Sequence, residues 1–324
     1  MEDYCFASWF LTEKCNFDCS YCSIVNPPKY KKILGGVKKF IKSKLKSSSD
    51  YNLYEELDNV IQRFLGTGEK ITFGFTGGEP LIYPHFIDIC RRIAEYDNFK
   101  ISLDTNLSTN NIHRFIDAVP PEKVEYIYAA LHVLERERIF GEIGSFIDTV
   151  VLLKNKGYSI GVNYVMHPAL FTRVERDYKY CLDRGVQLKL KKFKGVYNNR
   201  VYPRSYSEEQ KHIMLKYSSA GKKDIFQSRN FYGRKCNAGK NIIRIKTNGD
   251  ITRCVGDHSL LGNIFTGFEL YETARPCILK TCPCFSPDRL FAGLEADTVV
   301  PPRLTLAAKL REKRNRLRGW WDQD

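Results

Sequence analysis

The stretch Cys15-Asn16-Phe17-Asp18-Cys19-Ser20-Tyr21-Cys22 sets three cysteines at C-x3-C-x2-C spacing, directly after a β-rich run at residues 5–11. Three thiolates on one short loop can hold three corners of a cubic iron-sulfur cluster, and the missing fourth protein ligand leaves one iron open. Structural zinc normally closes with four ligands, so a zinc ion here needs a distant fourth residue. The next β-rich run, at 70–75, leads into Thr76-Gly77-Gly78-Glu79-Pro80. Consecutive glycines at a strand end let a ligand approach the backbone, and the carboxylate after them can accept from a cationic amine. Taken alone, such a segment is also an ordinary turn.

Further β-rich runs at 99–103, 125–131, 159–165 and 186–191 alternate with helical patterns at 52–65, 84–96, 145–156 and 172–184. Gly157 and Gly185 stand where the last two helices stop. Six strands separated by helices imply parallel pairing through right-handed crossovers, hence an α/β sheet or open barrel. A chain of 324 residues with 43% hydrophobic residues has material for about two domains and gives no case for general disorder. It carries no apolar run of membrane-spanning length and no secretory signal pattern. The net charge of +14 resolves into two segments. Eight lysines and no acid lie in 29–46, and seven basic residues against Glu312 lie in 303–318, so the rest of the chain is neutral on balance.

In order along the chain, the cysteine loop, with aromatic Tyr21 before its last cysteine, and the Gly-Gly-Glu-Pro segment resemble the radical S-adenosylmethionine (SAM) superfamily. Thr105-Asn106 at the end of the third strand resembles that family's Thr-Asn-Gly, with Leu107 replacing the glycine. The resemblance covers residues 4–195 and implies an α/β fold, a partial (β/α)6 TIM-type barrel. It further implies a 4Fe-4S cluster on Cys15, Cys19 and Cys22, with SAM on the open iron. One-electron reduction would then release a 5′-deoxyadenosyl radical that abstracts hydrogen from the substrate. Tyr21, Gly77, Gly78, Glu79, Pro80, Thr105 and Asn106 become cofactor-binding candidates. His132, at the end of the fourth strand, and Asn163, on the fifth, join them, since C-terminal strand ends face the ligand in such barrels. For both, a side chain that only satisfies nearby backbone is the alternative. Lys189 and Lys191 share one face of the sixth strand. They suit a carboxylate or phosphate if that face is the interior, and solvent if it is not.

Near the other end, Cys236, Cys254, Cys277, Cys282 and Cys284 surround a hairpin whose turn is Thr247-Asn248-Gly249-Asp250. This group resembles the SPASM and twitch auxiliary-cluster modules of radical SAM enzymes, the shorter twitch type carrying a second 4Fe-4S cluster. Cys236, Cys254, Cys282 and Cys284 are the favoured ligands, with Cys277 an alternative ligand or free, and a zinc ribbon the competing site. The expected division is a radical SAM core at 1–195, a linker or lid at 196–235, the auxiliary domain at 236–290 and a basic tail helix at 291–324. Cys5, Cys90 and Cys181 read as small buried hydrophobes or, less readily, as hydrogen donors.

The resulting expectation is a cytoplasmic oxidoreductase or epimerase acting on a sugar, nucleotide-linked or other small molecule, an anionic one if the basic segments edge the site. No leader-binding domain is expected before the barrel, which starts within a few residues of Met1. A flavodoxin or ferredoxin-type protein would donate the electron, and the basic tail with Trp320 and Trp321 could touch a membrane surface. The alternatives are a ribosomal-peptide-modifying enzyme and, from another class, a zinc-containing RNA-binding protein. Nucleic-acid binding has the charge in its favour but no recognisable RNA- or DNA-binding motif.

Overall fold

The computed structural model describes residues 4–22, 52–217, 230–280, 282 and 293–294. Six parallel strands pair in chain order: β1 (Cys5–Thr12), β2 (Ile71–Gly77), β3 (Phe99–Thr105), β4 (Val124–Leu131), β5 (Ile160–Met166) and β6 (Leu188–Lys192). The intervening helices are α1 (Leu57–Leu65), α2 (Phe86–Ala94), α3 (Asn111–Ala118), α4 (Val133–Phe140), α5 (Gly144–Asn155) and α6 (Val174–Leu182). This is the expected partial TIM-type barrel.

Alternation sorts the strand residues onto two faces. On β1, Cys5, Ala7, Trp9 and Leu11 are buried and the residues between them are half-exposed. The buried set packs beneath the helices: Trp9 meets Phe73 and Phe75 at ring separations of 5.7 and 5.5 Å. Helix α1 answers with Leu57, Val60, Ile61 and Phe64, the spacing of one apolar helix face. The opposite face of the sheet carries Ser8, Thr76, Asp104, Tyr128, Asn163 and Lys191 and lines the hollow. Helix α4 had no assignment from sequence for a physical reason. It buries Glu135 and Arg136 beside Val133 instead of an apolar stripe.

Two features depart from the sequence-based organisation. The described part of 196–235 has structure of its own: a hairpin of β7 (Gly195–Tyr197) and β8 (Arg200–Tyr202), then α7 (Glu208–Lys216), opened by a Ser207/Gln210 capping box. Tyr206 ties it to the barrel rim, accepting from the Phe193 N–H at 2.8 Å and donating to the Met166 carbonyl at 2.7 Å. The later strands are β9 (Lys235–Cys236), β10 (Ile242–Ile245), β11 (Asp250–Thr252), β12 (Leu260–Asn263), β13 (Gly267–Phe268) and β14 (Arg275–Pro276). The hairpin of β10 and β11 does not stand apart. β10 pairs in parallel with β1, Phe6 opposite Ile242 through Trp9 opposite Ile245, so the barrel sheet continues through β10 to β13. Both basic segments, Cys284 and, apart from residues 293–294, the C-terminal tail lie outside the described residues. No helix among the described residues is long and apolar enough to cross a membrane.

Candidate active site

The loop after β1 and the turn after β2 are built against each other. The Gly78 N–H donates to the Thr12 carbonyl at 2.7 Å and the Glu79 N–H to the Lys14 carbonyl at 2.9 Å. A Cβ on Gly78 would sit 1.8 Å from the Lys14 oxygen, and one on Gly77, which has φ 137°, would sit 2.4 Å from the Thr12 oxygen. The two glycines therefore make room for the cysteine loop, a use that the strand-end reading had assigned to a ligand.

Glu79 is 1% exposed. Its Oε1 accepts from the Leu81 N–H at 3.1 Å and the Thr105 hydroxyl at 2.7 Å, and its Oε2 from the Asn106 N–H at 2.7 Å. Burial pushes its carboxyl above the usual carboxylate range, while the bonds from Asn106, Thr105 and Leu81 oppose that shift. The carboxylate thus clamps the ends of β2 and β3, with three of about four acceptor positions filled by the protein itself. Pro80 opens the short 3-10 turn that follows. Leu107 takes φ 51°, the left-handed conformation that favours glycine, so leucine occupies the backbone shape of the residue it replaces.

Asn106 links this clamp to the thiols. Its amide nitrogen lies 3.8 Å from Cys15 Sγ and 3.0 Å from Asn16 Oδ1, and Cys15 Sγ also accepts from the Phe17 N–H at 3.4 Å. Burial raises the proton affinity of Cys15 and Cys19, and the neighbouring thiols of the loop add to it. Burial pushes Cys19 up to about 12, so a metal that binds here must displace its proton. His132 does not simply satisfy backbone. Its Nδ1 is 2.7 Å from the Tyr21 hydroxyl, and burial lowers the imidazole to about 4, leaving it neutral. Sequence reasoning missed Arg136, which is 2% exposed and donates to the Asn106 carbonyl. Its guanidinium lies over Phe146, Phe17 and Phe140 at 4.6, 5.4 and 5.6 Å from the ring centres, and burial lowers it to about 10. Asn163 is not part of this network and lies on the wall of the hollow, opposite Ala130 and Lys189.

The second cysteine group forms a separate recess. Cys236, Cys254, Cys277 and Cys282 line one small recess together with Arg253 and Asp257. Cys236 Sγ accepts from the Ala238 N–H at 3.4 Å and Cys254 Sγ from the Asp257 N–H at 3.1 Å. Arg253 braces the surrounding loops through the Ala238 and Arg275 carbonyls and Asp257. Phe6 packs on this cluster, and β10 starts beside it, so the recess lies at the N-terminal end of β1. The first cysteine loop lies at the other end, roughly 25 Å away along an eight-residue strand. Among the described residues no group of three or more His, Cys, Asp and Glu side chains is placed to hold a metal ion. A cubic cluster spreads its thiolates over separate irons. The N–H···S bonds and the thiol-only donor sets of both groups suit it.

Comparison with known proteins agrees with this geometry. The sequence model of the Radical SAM superfamily matches residues 9–173, half of the chain. No curated protein matches. The solved structure of native anSMEcpe with bound AdoMet is similar at a TM-score of 0.51 and 18% identity, over 81% of this chain and 78% of that one. Native anSMEcpe with AdoMet and the Kp18Cys peptide is similar at 0.51 and 16%, over 97% and 98%. Streptococcus suis SuiB bound to precursor peptide SuiA is similar at 0.50 and 14%, over 84% of this chain and 62% of that one. At these identities the likeness is one of fold.

Proposed function

The chain belongs to the radical SAM superfamily, and from that premise we propose that it removes a hydrogen atom from a substrate held in the barrel hollow, with net oxidation as the outcome. The observation that carries the reading is the clamp in which Gly77, Gly78, Glu79 and Asn106 hold the loop of Cys15, Cys19 and Cys22 at the barrel's C-terminal end. A 4Fe-4S cluster on those thiolates, with SAM at its open iron, supplies the electron that opens the sulfonium bond and so the hydrogen-abstracting species. The chain's own residues position that chemistry and shield it: His132 fixes Tyr21 at the loop, and Arg136 fixes Asn106.

We assign the second cluster to Cys236, Cys254, Cys277 and Cys282, in place of the set that included Cys284. Oxidation is favoured over epimerisation because a second cluster offers an acceptor for the substrate's electron. Among the described residues, the thiols outside the two groups, Cys5, Cys90 and Cys181, are buried in the layer between sheet and helices, on the side away from the hollow. The substrate is a small molecule in the first reading. A peptide is the second, favoured by the fold likeness that runs over 97% of this chain to a protein solved with a bound peptide. The RNA-binding alternative gives way to the family match.

Anaerobically purified protein with dithionite and SAM should yield 5′-deoxyadenosine, and Cys19→Ala should abolish it. Colourless protein holding stoichiometric zinc would end the reading. Deuterium carried into 5′-deoxyadenosine from the low-mass or the peptide fraction of a deuterated cell extract separates the two substrate classes.

A further inference from the structure

The wall of the hollow from β3 to β6 carries a polar strip that the cysteine-loop clamp does not use. Asp104 on β3 pairs in register with Tyr128 on β4, Tyr128 with Gly161 on β5, and Asn163 on β5 with Lys189 on β6. The glycine at 161 is a requirement of this strip, because a Cβ there would lie 2.1 Å from the Tyr126 hydroxyl. Without it, Tyr126 lies across β5 and accepts a hydrogen bond from Lys189 Nζ at 3.1 Å. That ammonium also sits 5.1 Å from the Tyr126 ring centre, and the Tyr126 and Tyr128 rings are 4.4 Å apart.

The alternation of β6 settles which way its lysines face. Leu188 and Leu190 are buried among the helices, while Lys189 and Lys191 are exposed to the hollow. Their stems start about 7 Å apart on one strand face, like charges with a shared opening between them. Among the described residues neither forms an ion pair. Burial and Lys189 together pull the Lys191 ammonium below its usual range, with Asp104 opposing them. An anion placed between two such groups relieves their repulsion and is held by charge-assisted hydrogen bonds. Asp104 stands three strands away on the same face, and its carboxylate is near enough across the hollow to act on the Lys191 ammonium.

We propose that Lys189 and Lys191 form an anion subsite that grips a carboxylate or phosphate of the substrate, with Tyr126 and Tyr128 as the surface under its body and Asp104 accepting a hydrogen bond from a donor group on it. The proposal rests on the reading that the hollow holds the substrate. It narrows that substrate to an anionic one that also carries a hydroxyl or amine. The subsite also accounts for two lysines and two tyrosines that no other part of the mechanism requires.

Calorimetric titration of the full-length, cluster-reconstituted protein with pyrophosphate and with citrate, at fixed ionic strength, tests the subsite. The basic segments at 29–46 and 303–318 stay in every protein compared, so their contribution cancels. The K189M/K191M variant should lose affinity for at least one probe by tenfold or more, and K189R/K191R, which keeps both charges, should retain it. Loss for pyrophosphate alone marks a phosphate-bearing substrate, and loss for citrate alone marks a carboxylate. Unchanged affinity in the methionine variant, or no binding of either probe to the native protein, overturns the subsite. SAM cleavage by the native protein is measured separately; its failure would strike the proposed function and leave the titration standing.

Discussion

Replacing Glu79 by glutamine separates a structural clamp from a ligand contact. The carboxylate accepts three protein hydrogen bonds while 1% exposed. In Glu79→Gln the amide oxygen can keep the Leu81 and Thr105 donors, but the new NH2 then faces the Asn106 N–H, donor against donor. An orphaned buried amide costs about 1–3 kcal/mol, and two bonds falling from charge-assisted to neutral cost about 1 kcal/mol each. Removing a buried charge returns part of that, so the net loss is about 3 kcal/mol. At about 2–4 °C per kcal/mol, the melting midpoint should drop by about 6–12 °C. The assay is far-UV circular dichroism on metal-free protein, where no cofactor can contribute. If the metal-free variant melted with the native protein and lost only SAM affinity, the carboxylate would face the ligand and the clamp would be refuted.

Gly78→Ala drives a methyl group into the Lys14 carbonyl at 1.8 Å. Iron content should fall by about half as the first cysteine loop is displaced, and full iron loading would contradict the close packing. Cys277→Ser should remove the auxiliary iron while Cys284→Ser leaves it, with electron paramagnetic resonance of the reduced protein as the readout; the reverse pattern would return Cys284 to the ligand set. Asp104 sits in the open hollow yet is crowded by the barrel wall, which pushes its carboxyl up to about 6 against the pull of Thr76 and Lys191. The folded chain therefore holds this proton more tightly than the unfolded one, whose carboxyl titrates near 3.9. The resulting stability is complete below about pH 4 and is lost as pH rises through about 6. Asp104→Asn should flatten that part of the melting profile, and an unaltered slope between pH 4 and 7 would show that the wall does not desolvate it.

The six barrel strands were legible because each alternates strictly or runs apolar over a strand's length, and the hairpin at β10 because Asn248-Gly249 permits only a tight turn. The junction of β10 with β1 was not. Parallel pairing between segments more than 230 residues apart leaves no mark in either local pattern, and Ile242 through Ile245 read equally well as a free hairpin arm. Arg136 escaped for the opposite reason. A charged residue in a short helix reads as solvent-facing, and only the fold brings Phe17, Phe140 and Phe146 around it. The polar, tyrosine-rich composition of 196–235 reads as a linker or lid, and composition does not show that Tyr202 and Tyr206 are buried against the barrel rim.

The same junction gives the chain its functional geometry. β1 is the one strand whose C-terminal end feeds the first cysteine loop and whose N-terminal end borders the second cysteine recess. Because β10 is hydrogen-bonded along it from Phe6 to Trp9, the recess cannot move relative to that loop without breaking the sheet. A hinged auxiliary module would leave the two thiol groups at a variable distance. A shared strand instead fixes them at opposite ends of the hollow, with Ser8 of β1, Arg244 of β10 and the polar strip of β3 to β6 between them. On the proposed function, a molecule bound on that strip would lie between the two cysteine groups at constant spacing, as is needed if hydrogen leaves toward one end and an electron toward the other.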